Sequence, residues 1–393
     1  MRVVHVLGSA GLGGPQRLVL DLVDAAEHAA AWRHAGCIFL RGTEGMLLDE
    51  FRARGPVCFL PMTLPRPLLR RYRSVNMYRM LAGRIRIVAM LPKILRSSGA
   101  DVVHFHDEPA LPWVLAAARR ARLPLLLTLH HSVLQIRRWE RAFVPYELAR
   151  RRRPTRFVAV SRAGAREIGR AYPSLTEHVG VVRNGIPVRS TKEIDDARRA
   201  VRASLGVGDG EFLFGAVARF GTMKRLHLLV ETLFTLRARG AHNVRLLLVG
   251  QGPLRDALRE RVRALGVEDV TLMPGEVVDG WRYNAALDLL VIASNDFEGL
   301  PISMLEAASA GVPVLARPVG DIPEFLGNQR SGLVLDDDSP ERIADFVERI
   351  MSDESERRAM GKRARNEAMD WSIESCMRRY HGLYGELMSE AQR

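Results

Sequence analysis

Two glutamates, Glu298 and Glu306, stand eight positions apart in "NDFEGLPISMLEAASAGVPV" (Asn295–Val314), a stretch otherwise composed like a buried helix and strand. An ionised carboxylate buried without a partner is costly, so each must reach solvent, a hydrogen-bonding group or a ligand. Pro301 suits the first position of a helix, which predicts a helix starting there, with Glu298 in the loop before it and Glu306 projecting from its second turn. The two acids can then flank one pocket. A purely structural reading instead puts Glu306 in solvent and Glu298 beside the positive end of the helix. Upstream, "GAVARFGTMKRLHLLVETL" places Arg219 at the end of a strand and Lys224 five residues on, just before another helix. Two cations near a helix N-terminus suit a diphosphate, although loop cations without a ligand are common.

Two further groups carry chemistry in the first half. Gly8, Gly11, Gly13 and Gly14 in "GSAGLGGPQR" follow a strand and precede a helix beginning near Pro15. Such a loop lets backbone N–H groups approach a phosphate, or it is simply a turn. It is not G-x-G-x-x-G, and the second strand, "CIFLRG", ends in Arg41 where a dinucleotide fingerprint wants an acid, which argues against nicotinamide or flavin. His104 and His106 share one face of a strand, Asp107 follows, and His130 with His131 ends the next strand. Imidazole and carboxylate suit Zn²⁺ or Mn²⁺. "HFHDE" lacks the further histidine of an H-x-H-x-D-H signature, so no metal is expected; a histidine at a strand's carboxyl end is well placed to hydrogen-bond a ligand.

These residues need elements to hold them. At 393 residues the chain exceeds one usual hydrophobic core, and two domains are expected. Short apolar runs alternate with helical patterns: "VVHVLG", "CIFL", "VCFLP", "DVVHFH", "LLLTLH" and "FVAVS", then again "FLFGAVARF", "VRLLLVG", "VTLMPG", "LLVIAS", "PVLARP" and "GLVLDD". That alternation predicts an α/β fold of two doubly wound, Rossmann-like parallel-sheet domains facing across a cleft. Ligands of such sheets bind outside the carboxyl ends of the strands. The turn residues Asn184, Gly185 and Pro187 place the boundary near 188, giving domains 1–188 and 189–370. Residues 371–393 carry Trp371, Ile373, Met377, Tyr380 and Leu383 at helical spacing and predict an amphipathic helix.

Composition narrows the classes. Cys37, Cys58 and Cys376 are too few and scattered for a disulfide framework or zinc site, and read as buried thiols of a reducing compartment. The start "MRVVHVLGSAG" reads as a strand and turn rather than a secretory leader, and no run of about 18 apolar residues spans a bilayer, so a cytoplasmic protein is expected. The net charge of +13 is uneven: residues 1–190 hold 31 Lys and Arg against 13 Asp and Glu. Arg66 to Arg96 has nine basic residues, no acid, and interleaved Leu, Ile, Met and Tyr. That suits a surface facing phosphates, either lipid headgroups or nucleic acid, or a merely solvated face. Neither a helix-turn-helix nor an aromatic stacking platform accompanies it, which disfavours a basic nucleic-acid-binding protein.

Glu298 and Glu306, with "GLGGPQR", "DVVHFH", "FVAVSRAGAREI", "VVRNGIP", "GAVARFGTMK", "VRLLLVGQGPLRDALRE" and "GDIPEFL" in order along nearly the whole chain, give a pattern that resembles the retaining glycosyltransferases of GT-B fold. The likeness is to family 4 (glycosyl transferases group 1). The resemblance implies a nucleoside-diphosphate-sugar donor and no required cofactor or metal. It puts Arg219 and Lys224 on the donor diphosphate, Glu306 on the ribose, Glu298 on the transferred sugar, and the backbone of Gly299, Leu300 and Pro301 at the phosphates. Gly275 to Val277 would lie beside the base, Gly13 and Gly14 would approach the diphosphate, and His130 the reacting carbon. It further implies that the C-terminal helix returns to the first domain. A lipid-linked or glycan acceptor at the inner membrane face would suit the basic segment, in polysaccharide or glycolipid synthesis. A non-hydrolysing sugar-nucleotide epimerase on the same fold is the alternative. Two departures stand out: Pro15-Gln16 where relatives often have a glutamate, and Asp321 where a second glycine is common.

Overall fold

The computed structural model describes residues 1–41, 44–60, 73–106, 110–130, 142–150, 153–173, 179–295, 298–327, 331–335 and 337–393, the side chains of 73–81 excepted. Asp107, His131 and the start of the Arg66 to Arg96 segment lie outside the described residues. The chain divides into two compact units: Met1–Asn184 with Ile373–Arg393, and Gly185–Ser372.

The first unit is built on seven parallel strands: β1 (Arg2–Leu7), β2 (Arg33–Phe39), β3 (Val57–Phe59), β4 (Val102–Phe105), β5 (Leu125–Leu129), β6 (Thr155–Ala159) and β7 (Val179–Val181). They lie in the order β3-β2-β1-β4-β5-β6-β7. Because side chains alternate along a strand, Val4, Val6, Val103, Phe105, Leu125 and Leu127 enter one core. His5, His104 and Thr128 take the positions between them, with His104 in register beside His5. The helix Ile373–Gln392 packs on β4, β5 and the helix Gly14–His28. It brings two phenols to this polar layer. His104 Nδ1 and Tyr384 Oη are 2.6 Å apart, His104 Nε2 and Thr128 Oγ1 2.7 Å, and Thr128 Oγ1 and Tyr380 Oη 3.2 Å. All four side chains are buried, and they satisfy one another.

The C-terminal stripe differs from the sequence expectation. Trp371 precedes the helix, belongs to the second unit and packs edge-on against Phe325. Within the helix the buried face runs Ile373, Cys376, Met377, Tyr380, Tyr384, Leu387, while Leu383 is half-buried. The i+4 step from Tyr380 stays on the stripe, where the i+3 step falls to its edge. Cys37 and Cys376 are buried, but Cys58 is partly exposed on the short edge strand β3.

The second unit has six parallel strands: β8 (Phe212–Val217), β9 (Val244–Val249), β10 (Thr271–Gly275), β11 (Leu289–Ile292), β12 (Val314–Ala316) and β13 (Gly332–Val334). Their order is β10-β9-β8-β11-β12-β13. Phe214, Leu246 and Leu248 enter the core on one face, Leu213, Leu247 and Val249 the core on the other. The helix after β8, His227–Ala238, fills the first core with Leu229 and Leu233; the helix after β11, Ile302–Ser309, fills the second with Met304, Leu305 and Ala308. Chains leaving these neighbouring strands therefore go to opposite faces, which opens a crevice at their carboxyl ends.

One glycine fixes the loop at that crevice. Gly320 has φ +62°, and a Cβ there would lie 1.7 Å from the carbonyl oxygen of Glu298. Asp321 N donates to Gly299 O at 3.4 Å, so this turn is pressed against the loop. Pro301 is the N-cap (φ −62°, ψ 124°), one residue ahead of the helical run. Its extended ψ keeps it outside the helix that begins at Ile302.

Two stability measurements check this packing. Tyr384→Phe leaves His104 Nδ1 buried without a partner and is expected to lower unfolding free energy by about 1–3 kcal/mol in denaturant titration; an unchanged midpoint contradicts the polar layer. Gly320→Ala forces the loop away, with an expected loss of about 1–3 kcal/mol from the left-handed backbone alone; a melting temperature equal to wild type contradicts the close approach.

Candidate functional site

The loop after β8 carries Arg219 and a single 3₁₀ turn, Thr222–Lys224. The loop after β11 carries Ser294 and Glu298. Asn295 N donates to Met223 O at 3.1 Å, tying the two loops together by backbone. Lys224 Nζ pairs with Glu298 Oε1, and Ser294 Oγ donates to the same oxygen at 2.6 Å. Glu298 is buried (9% exposed) and Lys224 partly so. An isolated acid at that depth would be costly; the ammonium and hydroxyl offset its loss of water. Arg219 is exposed at the end of the same strand.

Glu306 is half-buried on the helix Ile302–Ser309. The amide of Asn284, on the helix Gly280–Ala286, donates from Nδ2 to Glu306 Oε2 at 2.7 Å. Asn284 is fully buried, and among the described residues its Oδ1 has no hydrogen-bond partner. A Cβ at Gly280 would lie 3.3 Å from Val217 Cγ1 and 4.0 Å from Glu306 Oε2, so Glu306 sits close to the end of β8, two residues before Arg219. Each acid thus has a protein partner: Lys224 and Ser294 for Glu298, Asn284 for Glu306.

The helix that carries Glu306 opens on an anion-attracting end. Pro301 supplies no side-chain cap and the first turn holds no acid. The N–H groups of a helix's first turn have no intrahelical acceptor and carry the positive end of its dipole. Leu300 is buried in the same core as Met304 and Ile322, which anchors the Gly299–Pro301 backbone. At the next strand ends, Gly250 N donates to Gly275 O at 2.7 Å; Gly275 has φ +94°, and among the described residues, its chain neighbours aside, none comes within 4 Å of where a Cβ would stand. Val277 is half-buried beside this turn.

In the first unit, Gly13 is the extended N-cap of the helix Gly14–His28. A Cβ there would meet Gln16 Oε1 at 2.5 Å, because Gln16 folds back to donate to Ser9 O at 3.2 Å. His130 follows β5 and is buried, with Nε2 3.1 Å from His106 Nδ1; His106 Nε2 is 3.0 Å from His5 Nδ1. Burial, reinforced by neighbouring imidazoles, holds His5, His104 and His106 well below the usual histidine range, so all three are neutral at pH 7. His5, His104 and His106 are the metal-spaced group among the described residues; both nitrogens of His104 and of His106 and Nδ1 of His5 are engaged with one another, Tyr384, Thr128 or His130, and among the described residues His5 Nε2 has no hydrogen-bond partner.

Sequence reasoning singled out Lys224, Glu298, Glu306 and His130 but not the side chains that orient them. Ser294 and Asn284 lie 4 and 22 positions from Glu298 and Glu306, and His5 lies 101 positions from His106, which in turn meets His130. Only Ser294 had a readable signal, its place just past an apolar strand.

Known proteins add an independent line. Residues 12–190 match the family described as Glycosyltransferase Family 4, and residues 197–367 that described as Glycosyl transferases group 1. A GDP-mannose-dependent alpha-(1-6)-phosphatidylinositol monomannoside mannosyltransferase of Mycobacterium tuberculosis is 35% identical over 157 residues, 38% of this chain and 40% of that protein. A D-inositol 3-phosphate glycosyltransferase of Segniliparus rotundus is 28% identical over 216 residues, 53% of this chain and 46% of that one. The chain spans less than half the length of these two curated relatives. Among solved structures, HepE of Anabaena in complex with UDP and glucose gives a TM-score of 0.77 at 18% identity, covering 98% of this chain and 99% of that one. Identity that low speaks to fold alone. With two Rossmann-like parallel-sheet units and family matches running from residue 12 to 367, the chain belongs to the family 4 glycosyltransferases of GT-B fold.

Proposed function

We propose that this protein is a retaining glycosyltransferase that moves a hexose from a nucleoside-diphosphate sugar to a lipid-linked or glycan acceptor. The observation that carries the reading is the Lys224–Glu298–Ser294 group at the divergence of β8 and β11, beside a helix N-terminus with no side-chain cap. Relatives named for GDP-mannose and a fold neighbour holding UDP and glucose support this donor class.

The chemistry follows from charge. Breaking the bond between the sugar and the diphosphate leaves negative charge on the departing oxygen. Arg219, Lys224 and the N–H groups ahead of Glu306 are fixed donors that stabilise it, the work a metal does elsewhere. Glu298 holds Lys224 in place before the donor arrives, and its remaining acceptor capacity serves hydroxyls of the sugar. Glu306, oriented by Asn284, accepts from the ribose hydroxyls, while Gly275 and Val277 border the base and Gly299 to Pro301 present backbone to the phosphates. The proton of the acceptor hydroxyl passes to a donor phosphate oxygen, so retention needs no second carboxylate acting as in a glycosidase. From the first unit, Gly13 and Gly14 are assigned to the diphosphate and His130 to the sugar. No cofactor or metal is invoked.

Contact with an anionic membrane surface is part of the proposal. On the helix Arg73–Ser97, Ile85 (59%) and Met90 (43%) are exposed beside exposed Lys93 and Arg96. Phe143 and Tyr146 are also exposed, on the helix Phe143–Ala149. Arg84 does not join them: it is buried, over the Trp113 ring. Apolar side chains with flanking cations suit peripheral binding at a cytoplasmic leaflet. Among the described residues no helix is long and apolar enough to cross a membrane.

Transfer is tested by supplying UDP- and GDP-hexoses with and without lipid-linked acceptor. Acceptor-dependent loss of donor is the expected result; epimerised sugar from donor alone overturns the reading. Lys224→Ala and Glu306→Ala should each weaken nucleoside-diphosphate binding about 10- to 100-fold in calorimetry, the scale of one charged hydrogen bond; wild-type affinity in both contradicts the site. Lys93→Glu with Arg96→Glu should weaken sedimentation with phosphatidylglycerol vesicles by about 1 kcal/mol per residue; unchanged binding removes that helix from the membrane surface.

A further inference from the structure

Asn284, beside the proposed donor site, is a buried polar side chain whose hydrogen bonding is incomplete. It lies on the helix Gly280–Ala286 and is 0% exposed. Its Nδ2 donates to Glu306 Oε2 at 2.7 Å, and among the described residues its Oδ1 has no hydrogen-bond partner. Buried polar groups in folded proteins are nearly all paired, so an exception needs a cause.

The direction of the amide follows from its partner. An ionised carboxylate only accepts, so the Nδ2 side must face Glu306. Turned over, the amide would set its carbonyl against that carboxylate and leave an N–H buried without an acceptor, the costlier of the two orphans. The unpaired carbonyl is therefore a consequence of aiming a donor at Glu306. Packing does not ask for it. Gly280 lies one helical turn earlier on the same face, where a Cβ would stand 3.3 Å from Val217 Cγ1 and 4.0 Å from Glu306 Oε2. Ala286 and Leu287, just along the chain, belong to an apolar core, and Val217 packs against it. An apolar side chain in such surroundings would leave no carbonyl to desolvate. What it could not do is hold Glu306.

A carboxylate offers about four acceptor positions on its two oxygens, and Asn284 takes one of those on Oε2. Tying one oxygen to a buried amide restrains the plane of the group, so its other lone pairs keep their directions before a ligand arrives. A ribose presents two adjacent hydroxyls, and a carboxylate held in one plane can accept from both without first losing rotational freedom.

We propose that Asn284 is a positioning residue that holds the Glu306 carboxylate for the two ribose hydroxyls of the donor, and so sets a preference for ribonucleotides over nucleotides lacking those hydroxyls. This rests on the assignment of Glu306 to the ribose, and it deepens it. The uncompensated carbonyl is stability given up for that orientation, as is common where a site needs a strained group.

Calorimetry on the full chain reads the preference, with UDP, GDP and their 2′,3′-dideoxy forms as probes. Wild type should bind its preferred ribonucleotide about 10-fold or more tightly than the dideoxy form; equal affinity overturns the proposal. Asn284→Ala should weaken the ribonucleotide about 10-fold, the scale of one hydrogen bond to a charged group, and leave the dideoxy form unchanged. Asn284→Asp keeps the shape but, ionised, can only accept, and should lose at least as much. Equal losses with both forms would make Asn284 purely structural, and wild-type affinity in Asn284→Asp would mean that the donated hydrogen bond has no role; either result contradicts the proposal. A wild type that binds none of the four nucleotides fails the donor class and this inference together. One that binds them, with the Asn284 variants unaltered, fails this inference alone.

Discussion

Everything proposed for the second unit depends on one constraint: β8 and β11 are hydrogen-bonded neighbours whose chains depart to opposite faces of the sheet. The gap this leaves cannot be filled by either following helix, so the loops after the two strands line it. Their residues are drawn together across the gap by a backbone hydrogen bond from Asn295 to Met223 and by the Lys224–Glu298 pair. Gly320 presses on Glu298 from behind, since no larger residue fits against that carbonyl. The acid is therefore held by packing on one side and by a cation on the other, and its position does not wait for a ligand.

The two units use buried polar groups differently. In the second, polar atoms converge on carboxylates at the strand ends, where charge balance and hydrogen bonding are satisfied together. In the first, neutral imidazoles, hydroxyls and phenols fill one face of the sheet under the C-terminal helix. A neutral network of this kind avoids the large cost of buried charge, provided each donor finds an acceptor. Among the described residues His5 Nε2 is an exception at the edge of that network, buried without a hydrogen-bond partner.

Much of this was legible in the chain. Apolar runs alternating with helical patterns gave the two parallel sheets, and carboxylates in an apolar stretch marked Glu298 and Glu306. Pro301 located the helix start to within one residue, the error reflecting that a proline with extended ψ serves as cap as readily as first helical residue. What the sequence hid were partners distant along the chain. Asn284 meets Glu306, and Tyr384 meets His104, only because the fold brings them together. Periodicity favoured Leu383 over Tyr384 because hydropathy does not register a phenol whose hydroxyl has a buried acceptor. Likewise nothing in the sequence around Gly320 announces that its empty Cβ position is occupied by another loop.

Hydrogen–deuterium exchange on adding UDP or GDP tests the central claim most directly. Slowed exchange concentrated in the loops after β8 and β11 and the first turn at Ile302 is the predicted result. Binding with protection confined to other segments, those loops exchanging as in the free protein, would contradict it.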